Sequence, residues 1–189
     1  MSAWPDLASL RIEASACERC ALAATRTQVV FGAGDERAGL MVVGEGPGAD
    51  EDRLGEPFVG RSGRLLTRLL EGIGLTRADV YIANVVKCRP PGNRDPQADE
   101  IAACRPYLEA QLDLVAPRVV VTLGNFATKL LLDTKEGITK LRGGEFAYRT
   151  GATVVPTLHP AAVLRGGGVA LAQSRADFVV AKRVLERAA

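Results

Sequence analysis

The sequence predicts a three-layer α/β fold with a mainly parallel sheet at its centre. Two observations carry that expectation. Five short runs are continuous in apolar, largely β-branched residues rather than alternating, as in strands covered on both faces. Stretches with helical apolar spacing lie between them, and strands alternating with helices build parallel sheets with helices on either side. The chain has 189 residues, with no internal repeat, low-complexity tract or linker, so a single domain over residues 1–189 is expected.

In chain order the strand runs are Gln28-Val-Val-Phe31, Leu40-Met-Val-Val43, Val80-Tyr-Ile-Ala-Asn-Val-Val86, Arg118-Val-Val-Val-Thr-Leu123 and Thr153-Val-Val-Pro-Thr-Leu158. Leu65, Leu66, Leu69, Leu70 and Ile73 mark a helix, with Ser62 as its N-cap and Gly74 as its stop. A second helix is expected from Gln97 to Val115, with Pro117 beyond it. Asn125 to Leu132 makes a shorter third, and Leu171 to Ala188 a fourth.

Composition narrows the function classes. Hydrophobic residues make up 47% and charged residues 24%, a globular balance that excludes disorder and fibrous architectures. No apolar run approaches the roughly 20 residues of a membrane-spanning helix. Met1 to Cys17 has neither a basic n-region nor an apolar h-region, which predicts a cytoplasmic protein with no membrane attachment. The formal net charge of +2 is nearly balanced, so binding to nucleic acid would need a local basic face. Nothing in so balanced a surface signals an oligomer, and a monomer is expected.

The four cysteines are Cys17, Cys20, Cys88 and Cys104. In a reducing compartment they are expected as thiols. The Cys17-Glu-Arg-Cys20 pair precedes the first well-defined strand, whereas a thioredoxin-like redox pair follows one. Four thiolates can hold a tetrahedral zinc or an iron–sulfur cluster. The wide separation of Cys88 and Cys104 suits a larger cluster, but spacing leaves both open.

In parallel sheets, ligands bind beyond the carboxyl ends of the strands, and the unusual residues fall there. The Leu40 run leads into Gly44-Glu-Gly-Pro-Gly-Ala-Asp-Glu-Asp52, the Val80 run carries Asn84 near its end, and the Thr153 run ends in the sole histidine, His159. Gly44-x-Gly46-x-x-Ala49 satisfies a dinucleotide fingerprint. Pro47, however, removes an amide a phosphate would use, and Asp50, Glu51 and Asp52 place like charge where a pyrophosphate would sit. A carboxylate loop opposite an amide and an imidazole suits recognition of a planar neutral ring and activation of water. Asn84 can read a donor and an acceptor at once, and Phe58 offers a stacking platform. Each residue alone has a plainer reading, as core or as a structural hydrogen-bonder; their coincidence at neighbouring strand ends is what points to a site.

These residues resemble a known family. Gly44-Glu-Gly-Pro-Gly-Ala-Asp-Glu-Asp52, Pro57-Phe-Val-Gly60, Asn84-Val-Val-Lys-Cys-Arg-Pro-Pro91, Leu158-His-Pro-Ala161 and the four cysteines, in this order, are similar to the family-4, iron–sulfur uracil-DNA glycosylases. The resemblance spans Cys17 to Arg165. It implies a three-layer α/β/α sandwich around a mainly parallel four-stranded sheet. It implies a 4Fe–4S cluster on Cys17, Cys20, Cys88 and Cys104 that ties in the N-terminal segment. It also implies release of uracil from single- or double-stranded DNA in base excision repair. In the uracil pocket Asn84 would bond the Watson–Crick edge and Phe58 would stack, while Glu45, Gly46, Pro47 and Glu51 close one side. Leu164 and Arg165 are the candidates for filling the space of the flipped base.

For the reaction, His159 is expected to donate, as a neutral imidazole, to the departing uracil anion. Glu45, or else Glu51, would orient the attacking water. Lys87, Arg89, Arg94, Arg142 and Arg165 are the expected phosphate contacts. A related branch traps abasic DNA through a histidine in an enlarged loop after the Asn strand. Here that loop, Pro90-Pro-Gly-Asn-Arg-Asp-Pro96, has neither expansion nor histidine. Two rival classes are a dinucleotide oxidoreductase, which a nicotinamide titration would reveal, and a non-enzymatic iron–sulfur DNA-binding module, which would release no uracil.

Overall fold

A computed structural model describes residues 3–188. Six strands form one sheet: β1 (Ala33–Gly34), β2 (Leu40–Gly44), β3 (Tyr81–Asn84), β4 (Val119–Leu123), β5 (Phe146–Ala147) and β6 (Thr153–Thr157). Their spatial order is β1-β3-β2-β4-β6-β5. The four central strands are parallel, and the two-residue edge strands pair antiparallel. The expected four-stranded parallel sheet is therefore present, with a short strand added on each edge.

The helices are α1 (Leu7–Ser15), α2 (Ala49–Leu54), α3 (Arg61–Glu71), α4 (Ala98–Val115), α5 (Asn125–Leu132), α6 (Ile138–Leu141) and α7 (Pro160–Arg187). One core cluster packs α1 and α4 against the face of the sheet that carries Met41, Val43 and Tyr81. The other packs α3 and α7 against Leu40, Val42 and Ile82. Alternate residues of β2 thus feed opposite cores, which is why the strand sequences read as unbroken apolar runs. Among the described residues no helix is long and apolar enough to cross a membrane.

Several boundaries differ from expectation: α3 stops at Gly72 rather than Gly74, β3 ends at Asn84 rather than Val86, and three further differences have local reasons. Residues 28–31 are not a strand: Val30 makes one backbone bond, to the Lys87 carbonyl at 2.8 Å, while the N–H groups of Thr27 and Gln28 turn to Asp52 Oδ1 at 2.9 and 3.4 Å, so no ladder forms. The N-cap of α3 is Gly60 rather than Ser62. Helix α7 begins directly after His159, with Pro160 in its first turn, and runs to Arg187 with a kink at Gly167 (φ 67°, ψ −151°). The Gly166-Gly167-Gly168 run reads as a helix breaker in sequence but serves here as a bend.

Two expected phosphate contacts are instead structural. Lys87 is only 1% exposed. Its Nζ donates to the Asn84 carbonyl at 2.7 Å and to Gln111 Oε1, and Gln111 Nε2 donates to the Phe31 carbonyl at 2.8 Å. A lone ammonium is costly to bury, and only such a set of acceptors makes the site tolerable; burial pushes Lys87 down to about 8. Arg142 donates through Nη2 to Asp177 Oδ1 at 2.6 Å and to the Gln173 carbonyl at 2.8 Å. Asp177 also accepts from the Thr157 hydroxyl at 2.7 Å, which joins the end of β6 to α7.

Lys87→Met keeps the volume but leaves the Asn84 carbonyl and Gln111 Oε1 without their donor. At about 1–3 kcal/mol for each buried acceptor left unpaired, the urea midpoint of unfolding should fall clearly with the slope unchanged. An unshifted midpoint would contradict this account of the network.

Candidate active site

The carboxyl ends of β2, β3 and β6 open onto one pocket, with about 1400 Å³ of empty space including its open mouth. Asn84 ends β3, is 1% exposed, and its buried Oδ1 has no hydrogen-bond partner. Phe58 lies in the loop between α2 and α3, with its ring 6.0 Å from that of His159 at an interplanar angle of 38°. Between Phe58 and Asn84 sits Gly44. A Cβ there would fall 2.5 Å from Asn84 Oδ1 and would overlap the Phe58 ring. The ring and the amide share one space because residue 44 has no side chain. Gly46 follows the same rule, since a Cβ would come within 2.7 Å of Val86 Cγ2.

The Phe58 backbone is left-handed (φ 55°), a conformation that costs a non-glycine residue roughly 1–2 kcal/mol. Two features hold it there. Arg77 donates to the carbonyls of Phe58 and Pro57, at 3.0 and 2.7 Å. Gly63, in α3, lies so close that a Cβ would overlap the Phe58 carbonyl. Sequence reasoning missed Arg77, Gly63 and the packing role of Gly44. Only Gly44 left a trace there, as a glycine closing a strand.

His159 caps α7 with its ring: Nδ1 accepts the Ala161 N–H at 3.2 Å. Nδ1 is thereby an acceptor, and the neutral ring carries its proton on Nε2. Burial, with a smaller push from Arg165, lowers the imidazole to about 4, so it is uncharged at neutral pH. Burial acts the other way on Glu45, raising it to about 7, with Asp95 adding to the rise. The loop carrying Glu45 is held by β3, since Val85 N–H donates to the Gly44 carbonyl and Val86 N–H to that of Glu45, at 2.9 and 3.0 Å.

The structure distinguishes the two candidate carboxylates. Glu51 Oε1 accepts the N–H groups of Val59 and Gly60, at 3.0 Å each, and Oε2 accepts that of Gly48 at 3.1 Å. Its oxygens tie the glycine loop to the Phe58 loop, whereas among the described residues Glu45 makes no side-chain hydrogen bond. The same contact occupies the Gly48 amide, which a dinucleotide phosphate would need. Pro47 and Arg165 line the pocket, while Leu164 is 46% exposed on the first turns of α7. Arg94 also lines it but pairs with Glu100 at 2.6 Å, and Arg89 donates to Asn93 Oδ1 at 2.7 Å.

Elsewhere in the fold, Cys17, Cys20, Cys88 and Cys104 line a single smaller cavity of about 360 Å³, including its open part. None of the four is in a disulfide. Three sulfurs already accept hydrogen bonds of the kind thiolates attract: Cys104 from Lys87 N at 3.3 Å, Cys17 from Arg19 N at 3.5 Å, and Cys88 from Arg26 Nη1 at 3.6 Å. Among the described residues no three metal-ligating side chains converge as they would around a single ion. Four sulfur donors around one cavity suit the chemistry of a zinc site or of an iron–sulfur cluster.

Comparison with known proteins agrees with this geometry. A family model described as the uracil DNA glycosylase superfamily matches residues 31–182. The chain is similar to a type-4 uracil-DNA glycosylase of Sulfurisphaera tokodaii, 46% identical over 167 residues, which are 84% of this chain and 76% of that one. It is 49% identical over 150 residues to one from Thermotoga maritima, covering 79% of this chain and 78% of the relative. A third, from Archaeoglobus fulgidus, is 46% identical over 159 residues, 80% of each chain. With its strand-end pocket and a match of this extent, the chain belongs to the uracil DNA glycosylase superfamily, alongside its type-4 members.

Proposed function

We propose that this glycosylase hydrolyses the N-glycosidic bond of a deoxyuridine flipped out of DNA, releasing uracil and leaving an abasic site for base excision repair. The observation that carries the reading is the buried, unpartnered Oδ1 of Asn84 beside an aromatic ring. A buried acceptor without a donor is costly, and the N3–H of uracil supplies one. The Asn84 amide N–H₂ would donate to O4; cytosine reverses both polarities, so its edge is rejected. Phe58 stacks on the ring. Reaching this depth requires extrusion of the nucleotide, which costs least in single strands or at mismatches.

Bond cleavage leaves positive charge on the sugar and negative charge on the departing base. His159, neutral with its proton on Nε2, would donate to the uracil carbonyl as that charge develops. A fixed donor of this kind contributes roughly 3–4 kcal/mol. Glu45, as the carboxylate, would orient the attacking water and balance the sugar's charge. Glu51 is assigned to holding the loops. The four cysteines would hold a 4Fe–4S cluster, whose contribution is structural cross-linking. Through Cys17 and Cys20 they would tie the N-terminal segment to the chain just after β3.

Wild-type protein should release free uracil from a labelled uracil-containing oligonucleotide. His159→Ala should lose about 10²–10³-fold in single-turnover rate while still binding that oligonucleotide; near wild-type excision would overturn the assignment. For wild type, kcat/KM should fall as pH drops below about 7, because Glu45 then takes up a proton. His159 adds no limb until about pH 4. Glu45→Gln should be slow at every pH and lack the limb near 7, and a limb that survives would assign it to another group. Cys17→Ser with Cys20→Ser should abolish the brown iron–sulfur absorbance and lower the thermal midpoint, and retained colour would refute the ligand set.

A further inference from the structure

We propose that the exposed face of α3, carrying Arg61, Arg64 and Arg68, is a track for the phosphates of the substrate strand leading away from the pocket. The inference rests on the reading of the substrate as DNA. It goes beyond that reading by placing the backbone on a helix not among the expected DNA contacts.

Most guanidiniums of this chain are committed to internal partners, as with Arg77, Arg94 and Arg142. Those with neither hydrogen bond nor ion pair among the described residues lie, Arg37 apart, on α3 and α7. These two helices pack against each other on one face of the sheet. On α3, Leu65, Leu66, Leu69 and Leu70 are buried, while Arg61, Arg64 and Arg68 are exposed. Residues three and seven apart fall on one helical face, so the three charges form a stripe. Like charges at these spacings repel. Glu71, three residues beyond Arg68, is the one carboxylate on that row of the helix, and the three guanidiniums before it are open to a polyanion.

The stripe is continuous with the pocket. Helix α3 starts at the pocket, which Arg61 and Ser62 line, and runs away from it. At 1.5 Å per residue, Arg64 and Arg68 lie about 4.5 and 10.5 Å further along the axis, a span comparable with successive phosphates of one strand. The charged lining of the pocket is mixed, Glu45, Asp50, Glu51 and Asp95 with Arg61, Arg94 and Arg165, and Asp50 and Glu51 lie against Gly60 at the start of α3. Beyond Arg61 the exposed row of α3 carries Arg64 and Arg68 before Glu71, so a backbone that leaves the pocket along it passes from mixed to positive charge. Guanidinium suits this use because its donors pair bidentately with phosphate oxygens. The apolar face of α3 is buried in the core, which leaves this helix nothing to insert into a membrane.

The test uses the whole protein and two single-stranded oligonucleotides containing one uracil, one with a single flanking nucleotide on each side and one with ten. Arg64→Glu with Arg68→Glu is compared with wild type for Kd and its salt dependence, with Arg64→Gln with Arg68→Gln as the milder pair. On the long oligonucleotide the glutamate pair should bind at least about 10-fold more weakly. The slope of log K against log salt should shrink by about 1.4, since each single-strand phosphate that is no longer neutralised removes about 0.7. On the short oligonucleotide the difference should shrink to the part due to Arg64, because one flanking phosphate spans the roughly 4.5 Å to Arg64 but not the roughly 10.5 Å to Arg68. Unchanged affinity and slope on the long strand would overturn the track, as would an equal weakening on both lengths. A weakening confined to anionic vesicles or an acidic peptide, with DNA binding intact, would also overturn it by giving the face to another partner. Wild-type release of uracil in the same experiment tests the glycosylase reading separately.

Discussion

Two loops without regular backbone pairing must be held together for this pocket to exist, and one carboxylate does so. Glu51 accepts N–H groups from Gly48 on one loop and from Val59 and Gly60 on the other. Carboxylates bonded to several amides at a helix start are favourably placed, since the helix dipole also attracts them. Glu51 thereby holds the Phe58 loop against the glycine loop, whose backbone at Gly44 and Glu45 is in turn bonded by Val85 and Val86. Arg77 completes the arrangement by holding the carbonyls on the other side of Phe58. The left-handed backbone of Phe58 is stable because donors and acceptors are satisfied on both of its flanks.

Once the loops are fixed, burial is the main cause that moves the two titratable groups His159 and Glu45 in opposite directions, with Arg165 and Asp95 adding to it. Desolvation disfavours whichever form is charged. It keeps His159 neutral, with Nδ1 committed to the Ala161 N–H, and it raises Glu45 to about 7. The same cause leaves the imidazole uncharged at neutral pH and the carboxyl titrating near 7. Pairs of groups pushed apart in this way are how a site performs acid and base work together.

The short chain segment after β3 links this pocket to the cysteine cavity. Asn84 faces the pocket, its carbonyl is held by the buried ammonium of Lys87, and the Lys87 N–H donates to Cys104 Sγ, with Cys88 next in sequence. Asn84 is therefore positioned by groups that also line the cysteine cavity. Lys87 is thus a support common to the Asn84 carbonyl and the cysteine cavity.

The central strands, the two longest helices' cores and the strand-end location of Asn84 and His159 were legible in sequence, because burial on both faces forces continuous apolar runs and parallel sheets place ligands beyond their carboxyl ends. Glu45, Phe58 and the four cysteines could also be singled out as residue types. The part each lysine, arginine and carboxylate plays was not legible. Lys87 and Arg142 carry the charge of phosphate contacts yet are spent on Asn84, Gln111 and Asp177, and Glu51 could not be told from Glu45. Nor could the run of glycines at 166–168 be told from the end of a helix. Hydrophobic pattern is a local property that each segment reports about itself. A charged side chain's role depends on which distant carbonyl or amide the fold brings within 3 Å, and only the tertiary structure decides that.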